Sequence, residues 1–134
     1  MKVVAFVGDS GSGKTTAMAA LILHFAGSGQ RVGAIKHTHH AVNDEDRGDT
    51  AEFRRSGANP VILAGDGEAI VFRDKAKRPI AFTSARELLS EFDTDIVFVE
   101  GFKSFDAWPR IELKGHERRT LSELLAVLDG IWRP

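Results

Sequence analysis

Two hydrophobic patterns alternate along the chain, and each predicts a different element. Residues 3–7 and 95–99 are almost unbroken apolar runs, the mark of strands buried on both faces of a sheet. Met18, Leu21, Ile22 and Phe25 instead recur at i, i+3, i+4 and i+7, which predicts a helix with one apolar stripe, stopped by Gly27, Ser28 and Gly29. Residues 31–36 predict a second strand that runs into His37, Thr38, His39 and His40, and the polar stretch 43–49 predicts an exposed loop. Asp49-Thr50-Ala51-Glu52 has capping-box-like spacing, which predicts the start of a short helix ending near Gly57.

Residues 61–63 and 69–72 flank Gly65-Asp66-Gly67 and predict a hairpin. Ser84-Ala85-Arg86-Glu87 predicts a capped helix through Leu88, Leu89 and Phe92. Ile111-Glu112-Leu113 alternates weakly, as an edge strand does. Thr120 caps a last helix whose Leu121, Leu124, Leu125 and Leu128 form a stripe ended by Gly130. Strand and helix signals in this order predict an α/β, P-loop NTPase-like fold: a mostly parallel central sheet with at least one antiparallel hairpin and helices on both faces. The whole of 1–134 is expected to form a single P-loop nucleotide-binding domain, since 134 residues suffice for one buried core.

Composition narrows the function classes. With no cysteine the chain has neither disulfides nor a thiolate metal site, which suits a reducing compartment. The apolar run at the N-terminus is too short for a signal peptide or a membrane span, so the expectation is a soluble, cytoplasmic protein. A formal net charge of -1 provides no global attraction to nucleic acid or to an anionic membrane, and any anion must be held locally.

The local site is GDSGSGKTT, residues 8–16, which matches G-x-x-x-x-G-K-[ST] through Gly8, Gly13, Lys14 and Thr15. Its flanks, a buried strand before and an amphipathic helix after, are those the motif requires. Glycines at Gly8, Gly11 and Gly13 let the backbone curl with its N–H groups pointing inward, and Asp9, Ser10, Ser12 and Thr16 complete the loop around a polyphosphate. The Lys14 ammonium and the helix start add positive charge, and the Thr15 hydroxyl is a ligand for Mg²⁺.

Glu100 closes the apolar run 95–99 where a phosphate-loop protein places a carboxylate for Mg²⁺ or its water. His37, His39 and His40 leave the second strand at the same edge, and alternation sends His37 and His39 to one side. They hold a transition metal, contact an anion or substrate, or form an exposed polar loop. Asp49 can serve as the helix cap, reach the metal or the attacking water, or do both; Lys103 either offsets phosphate or is a surface lysine. Arg54 and Arg55 read as a solvated face with a smaller claim on phosphate, and Asn59, which precedes a strand, belongs at the opposite edge. The catalytic candidates are Lys14, Glu100 and Asp49; the metal candidates are Thr15, Glu100 and Asp49.

GDSGSGKTT, AIKHTHH after the second strand, an Asp before a short helix ending RRSGA, and DIVFVEGFK together resemble the molybdopterin-guanine dinucleotide biosynthesis protein B (MobB) family over most of the chain. The resemblance implies a GTP-binding, weakly hydrolysing adaptor, commonly a homodimer. Such an adaptor assists the guanylyltransferase that attaches GMP to molybdopterin. Carried onto this chain, it assigns residues 8–16 to phosphate and Mg²⁺, Glu100 to the metal, and residues 37–40 with Asp49 to the functional edge. The loop between His40 and Asp49 and the segment after the last helix are shorter than the family pattern.

Slow hydrolysis also follows from the residues. The only glutamine, Gln30, stands before the second strand, at the wrong edge to orient an attacking water. No N-K-x-D run reads guanine, and residues 83–86 resemble a guanine-contacting loop less than a capping box. Two other classes share the phosphate loop. A small-molecule kinase needs an arginine-bearing lid, for which no long segment is evident. A metallochaperone-type GTPase would use the histidine cluster.

Overall fold

The two unbroken apolar runs become adjacent central strands, because only the middle of a sheet covers both faces of such a segment. The computed structural model describes residues 1–9, 11–40, 42, 48–115 and 119–133. Its strands are β1 (Lys2–Gly8), β2 (Val32–His37), β3 (Val61–Ala64), β4 (Glu68–Arg73), β5 (Ala76–Ala81), β6 (Ile96–Glu100) and β7 (Arg110–Leu113). They form one seven-stranded sheet in the order β5-β4-β3-β2-β6-β1-β7. β1, β2, β3, β6 and β7 are parallel; β4 and β5 add an antiparallel hairpin beyond β3.

Alternation along the central strands sorts the core into two layers. Val4, Phe6, Ala34, Ile96 and Phe98 face α1 (Lys14–Gly27), α2 (Asp49–Ser56) and α3 (Leu121–Trp132). Met18, Leu21 and Ile22 of α1 are fully buried there, and Phe25 packs against Phe98 and Trp132. Ala5, Ile35, Val97 and Val99 face the other way. That side is covered by a 3-10 helix (Ala85–Glu91) and by Phe102, Phe105 and Trp108 from the β6–β7 connection. Helices therefore flank both faces, with the three α-helices together on one and a single tight helix on the other. No helix among the described residues is long and apolar enough to cross a membrane.

Several local expectations change. Asp49 is the first residue of α2, not its cap; the cap is Gly48, which has no side chain to offer the helix. The Asp49 carboxylate lies 2.9 Å from the Lys36 ammonium, a charged partner that outcompetes backbone amides. The Ser84 box is displaced by a residue: Ser84 accepts from the Arg86 amide, while Glu87 accepts from the Thr83 amide at 2.9 Å. Thr120 and Glu123 do form a capping box, but α3 runs past Gly130 to Trp132, because Trp132 packs on the core. Leu121, expected on the apolar stripe, is 38% exposed. β5 was not expected at all. Its exposed sequence AKRPIA, with Lys77, Arg78 and Pro79, has the charge and proline content that blunts a sheet edge and reads as loop. Most of the polar stretch 43–49, from Asn43 to Arg47, lies outside the described residues.

Candidate functional site

Because β1, β2 and β6 run parallel, their carboxyl ends share one edge, and their register fixes what stands there. Glu100 is aligned with Phe6 of β1 and Lys36 of β2. Neighbours in register on parallel strands present side chains to the same face. Glu100, two residues beyond Phe98, and Lys36, two beyond Ala34, thus both face the start of α1. His37 follows Ile35 and faces the opposite layer.

The loop between β1 and α1 brings backbone and lysine to that edge. Gly11 and Gly13 adopt φ of +82° and +93°, in the left-handed region that other residues avoid. A Cβ on Gly8 would sit 2.2 Å from the Leu113 carbonyl oxygen, so no larger residue fits between β1 and β7. Gly13 caps α1 without a side-chain hydrogen bond, which leaves the first helical N–H groups free of a side-chain acceptor. The Lys14 ammonium donates to the carbonyls of Gly8 at 2.6 Å and Asp9 at 3.3 Å. Burial, the largest influence, lowers its pKa below the usual lysine value. The Ser12 hydroxyl is buried, has no hydrogen-bond partner among the described residues and lines the cleft, a donor suited to an anionic ligand. Ser10 lies outside the described residues.

Glu100 sits at the base of this cleft, 3% exposed. Thr15 Oγ1 is 3.4 Å from each of its carboxylate oxygens. The Lys36 ammonium lies 2.8 Å from Glu100 Oε1 and also reaches Asp49, so one cation joins β2, β6 and α2. Burial works against its charge, but hydrogen bonds and attraction from Glu100 and Asp49 win, and the Lys36 pKa is raised. Lys36 was missed in the sequence reading. Its signal was a charge closing an otherwise apolar strand, as Glu100 closes the next.

On the opposite layer the His37 ring stacks on Phe102 with centroids 4.1 Å apart, and His39 meets His37 edge-on at 4.9 Å. Phe102 can lie there because Gly101 turns with φ of +103°, where a Cβ would come within 2.8 Å of His37 Cβ. Among the described residues, no group of three His, Asp or Glu side chains is placed to hold a metal ion. His37 Nε2 lies 3.4 Å from Asp66 Oδ1, and the His40 amide donates to Thr38 Oγ1. Burial is the main cause that lowers the His37 pKa, opposed by Asp66 and reinforced by His39 and Lys36. A lowered folded pKa means the unfolded chain takes up this proton first as pH falls below about 6.5, so stability declines through that window. His37→Gln should flatten this acid-side decline between about pH 6.5 and 5 in thermal melts; an unchanged slope would assign the decline to other groups.

Gly8, Gly11, Ser12, Gly13, Lys14, Thr15, Lys36, His37, Asp49 and Glu100 line one cleft of about 1400 Å³ at the carboxyl edge, together with Thr16, His39, His40 and Lys103, while Asp9 does not line it. The loop bearing Lys103 is held by Arg110, which donates to the Lys103 and Phe105 carbonyls. Arg54 and Arg55 are not in the cleft: Arg55 pairs with Glu52 at 2.8 Å, and Arg54 donates to the Asp74 carbonyl. Asn59 bonds Asp74 at the opposite edge. Magnesium suits this donor set, since it prefers hard oxygens and binds through one or two carboxylates with phosphate and water completing the shell. A cation already lies between Glu100 and Asp49, in the form of the Lys36 ammonium.

The family model described as molybdopterin guanine dinucleotide synthesis protein B matches residues 3–129. A molybdopterin-guanine dinucleotide biosynthesis adapter protein of Haemophilus influenzae is 34% identical over 116 residues, covering 86% of this chain and 64% of that protein. Its Escherichia coli counterpart is 35% identical over 105 residues, covering 75% and 59%. The chain thus spans less than two thirds of the length of either relative. The crystal structure of Bacillus subtilis MobB matches with a TM-score of 0.52 at 23% identity, covering 94% of this chain and 73% of that one, a likeness of fold. On the extent of the family match and the identity to these relatives, the chain belongs to the molybdopterin-guanine dinucleotide biosynthesis protein B family.

Proposed function

We propose that residues 1–134 act as a single nucleotide-binding domain that binds GTP with Mg²⁺, hydrolyses it slowly, and serves as an adaptor in molybdenum cofactor maturation. Its partner is the guanylyltransferase that converts molybdopterin to molybdopterin guanine dinucleotide; molybdopterin is the second ligand of that assembly, and the working form is a homodimer in the cytoplasm. The observation that carries this reading is the meeting of Lys14, Thr15, Glu100 and Asp49 in one cleft whose glycine loop leaves helix N–H groups open. The relatives' adapter description supports the pathway.

In this reading the amides of residues 8–16 cradle the phosphates, and Lys14 leaves the Gly8 and Asp9 carbonyls for a phosphate oxygen. Thr15, Glu100 and Asp49 would hold the metal, which supplies charge neutralisation at the phosphate oxygens when bound. His37, His39, His40 and Lys103 contact the ligand or the partner at the rim. Hydrolysis stays slow because Gln30 lies at the other edge, before β2. Neither alternative class gains an observation of its own, and the His37 ring is already engaged by Phe102 and Asp66.

The test is a pull-down of the tagged chain from a host making molybdenum enzymes, with GTP turnover measured on the purified chain. The guanylyltransferase should co-purify, and turnover alone should be on the order of 10⁻³ per second, as for intrinsic hydrolysis without a supplied catalytic group. Absence of the transferase would overturn the adaptor role. Turnover of roughly tens per second would overturn the slow-hydrolysis argument.

A further inference from the structure

Lys36 is the charged group at the centre of the site to which the reading above gives no task. Its ammonium lies 2.8 Å from Glu100 Oε1 and 2.9 Å from Asp49 Oδ2, and Thr15 Oγ1 is 3.4 Å from both Glu100 oxygens. One monovalent cation therefore engages one oxygen of each carboxylate that a divalent ion would use. Magnesium takes oxygen ligands at about 2.0–2.1 Å. An ammonium and a divalent ion held on the same two carboxylates repel each other at such short range, so each weakens the other's hold. Lys36 cannot be passive when a metal arrives.

We propose that Lys36 is an exchangeable counter-ion: it neutralises Glu100 and Asp49 before nucleotide binds, and it leaves them for the γ-phosphate when a magnesium–triphosphate complex binds. The proposal rests on the nucleotide-binding reading above. Lys36 lines the same cleft as Lys14, so its flexible stem could turn toward a phosphate bound there. Two consequences follow. The metal alone binds weakly, because nothing then draws the ammonium away. A triphosphate is preferred over a diphosphate, which lacks the group that Lys36 would meet. Asp49 opens α2 while Phe53, fully buried, anchors its middle, so the exchange releases the first turn of α2 from β2.

The test uses Mn²⁺ as the probe, followed by electron paramagnetic resonance on the whole chain without nucleotide. Wild-type protein should show weak uptake, and Lys36→Met should gain one site about tenfold tighter or better, a difference of about 1.4 kcal/mol. Adding Glu100→Gln to Lys36→Met should abolish that site. With Mg²⁺ present, the wild type should prefer GTP to GDP, and Lys36→Met should lose the preference while still binding GDP. Equal Mn²⁺ affinity in wild type and Lys36→Met overturns the proposal. Should Lys36→Met fail to fold, the wild-type Lys36 Nζ resonance decides: it should move on adding Mg²⁺ with GTP and stay on adding Mg²⁺ alone, and any other pattern overturns the exchange. Wild-type protein that binds no GTP overturns the nucleotide reading and with it the hand-over to phosphate. That result is distinct from failure of the exchange alone, in which GTP binds but the manganese difference is missing.

Discussion

Lys14→Ala should remove the thermal stabilisation that GTP with Mg²⁺ confers and weaken triphosphate affinity by roughly one to two orders of magnitude, the size of one or two charge-assisted hydrogen bonds to phosphate. The fold itself should be nearly untouched. The Lys14 ammonium bonds only the carbonyls of Gly8 and Asp9 among the described side-chain contacts, and those carbonyls can turn to water. The substitution therefore separates ligand binding from stability. Lys14→Arg should not restore affinity, because a planar fork does not fill the place of a compact ammonium at the centre of a tight loop. A melting temperature that rises equally with GTP in wild type and Lys14→Ala would show that the phosphates lie elsewhere.

Glu100→Ala has the opposite profile, with a large effect on the folded chain before any ligand is added. Glu100 is buried, and its loss leaves Lys36 in the cleft with Asp49 as its remaining carboxylate. Lys36 keeps one carboxylate partner but loses a charge-assisted hydrogen bond to a buried one, and the expected cost is about 2 kcal/mol. For a chain of this size that corresponds to a fall in melting temperature of roughly 7 °C. Glu100→Gln keeps an acceptor for Lys36 and should recover part of the stability, yet it should still lose the Mg²⁺ dependence of nucleotide binding. Alanine and glutamine variants that melt with the wild type would contradict the ion pair as a structural element.

These two residues were readable in the sequence for a common reason. Lys14 belongs to a motif whose spacing encodes a backbone shape, and Glu100 ends an apolar run long enough to force a central strand. Once both strands are central and parallel, the shared edge follows. Lys36 was not readable in the same way, because its place opposite Glu100 depends on the register of β2 against β6, which is set by packing between distant segments. Asp49 shows the limit of local rules. Its spacing to Glu52 satisfied the capping pattern, but an ammonium from another strand took the carboxylate instead. β5 shows a different limit, since the lysine, arginine and proline that protect a sheet edge also resemble loop composition. The aromatic cover of Phe102, Phe105 and Trp108 lies in a connection with no periodicity, so its part in the second core layer had no signal along the chain.

The most direct test of the whole account is a crystal structure of the chain with a non-hydrolysable GTP analogue and Mn²⁺, read by the anomalous signal of the metal. The account predicts one manganese peak between Thr15 and Glu100, with the phosphates along residues 8–16 and Lys36 turned away from Glu100. A metal peak at His37 and His39, or nucleotide bound outside this cleft, would contradict it.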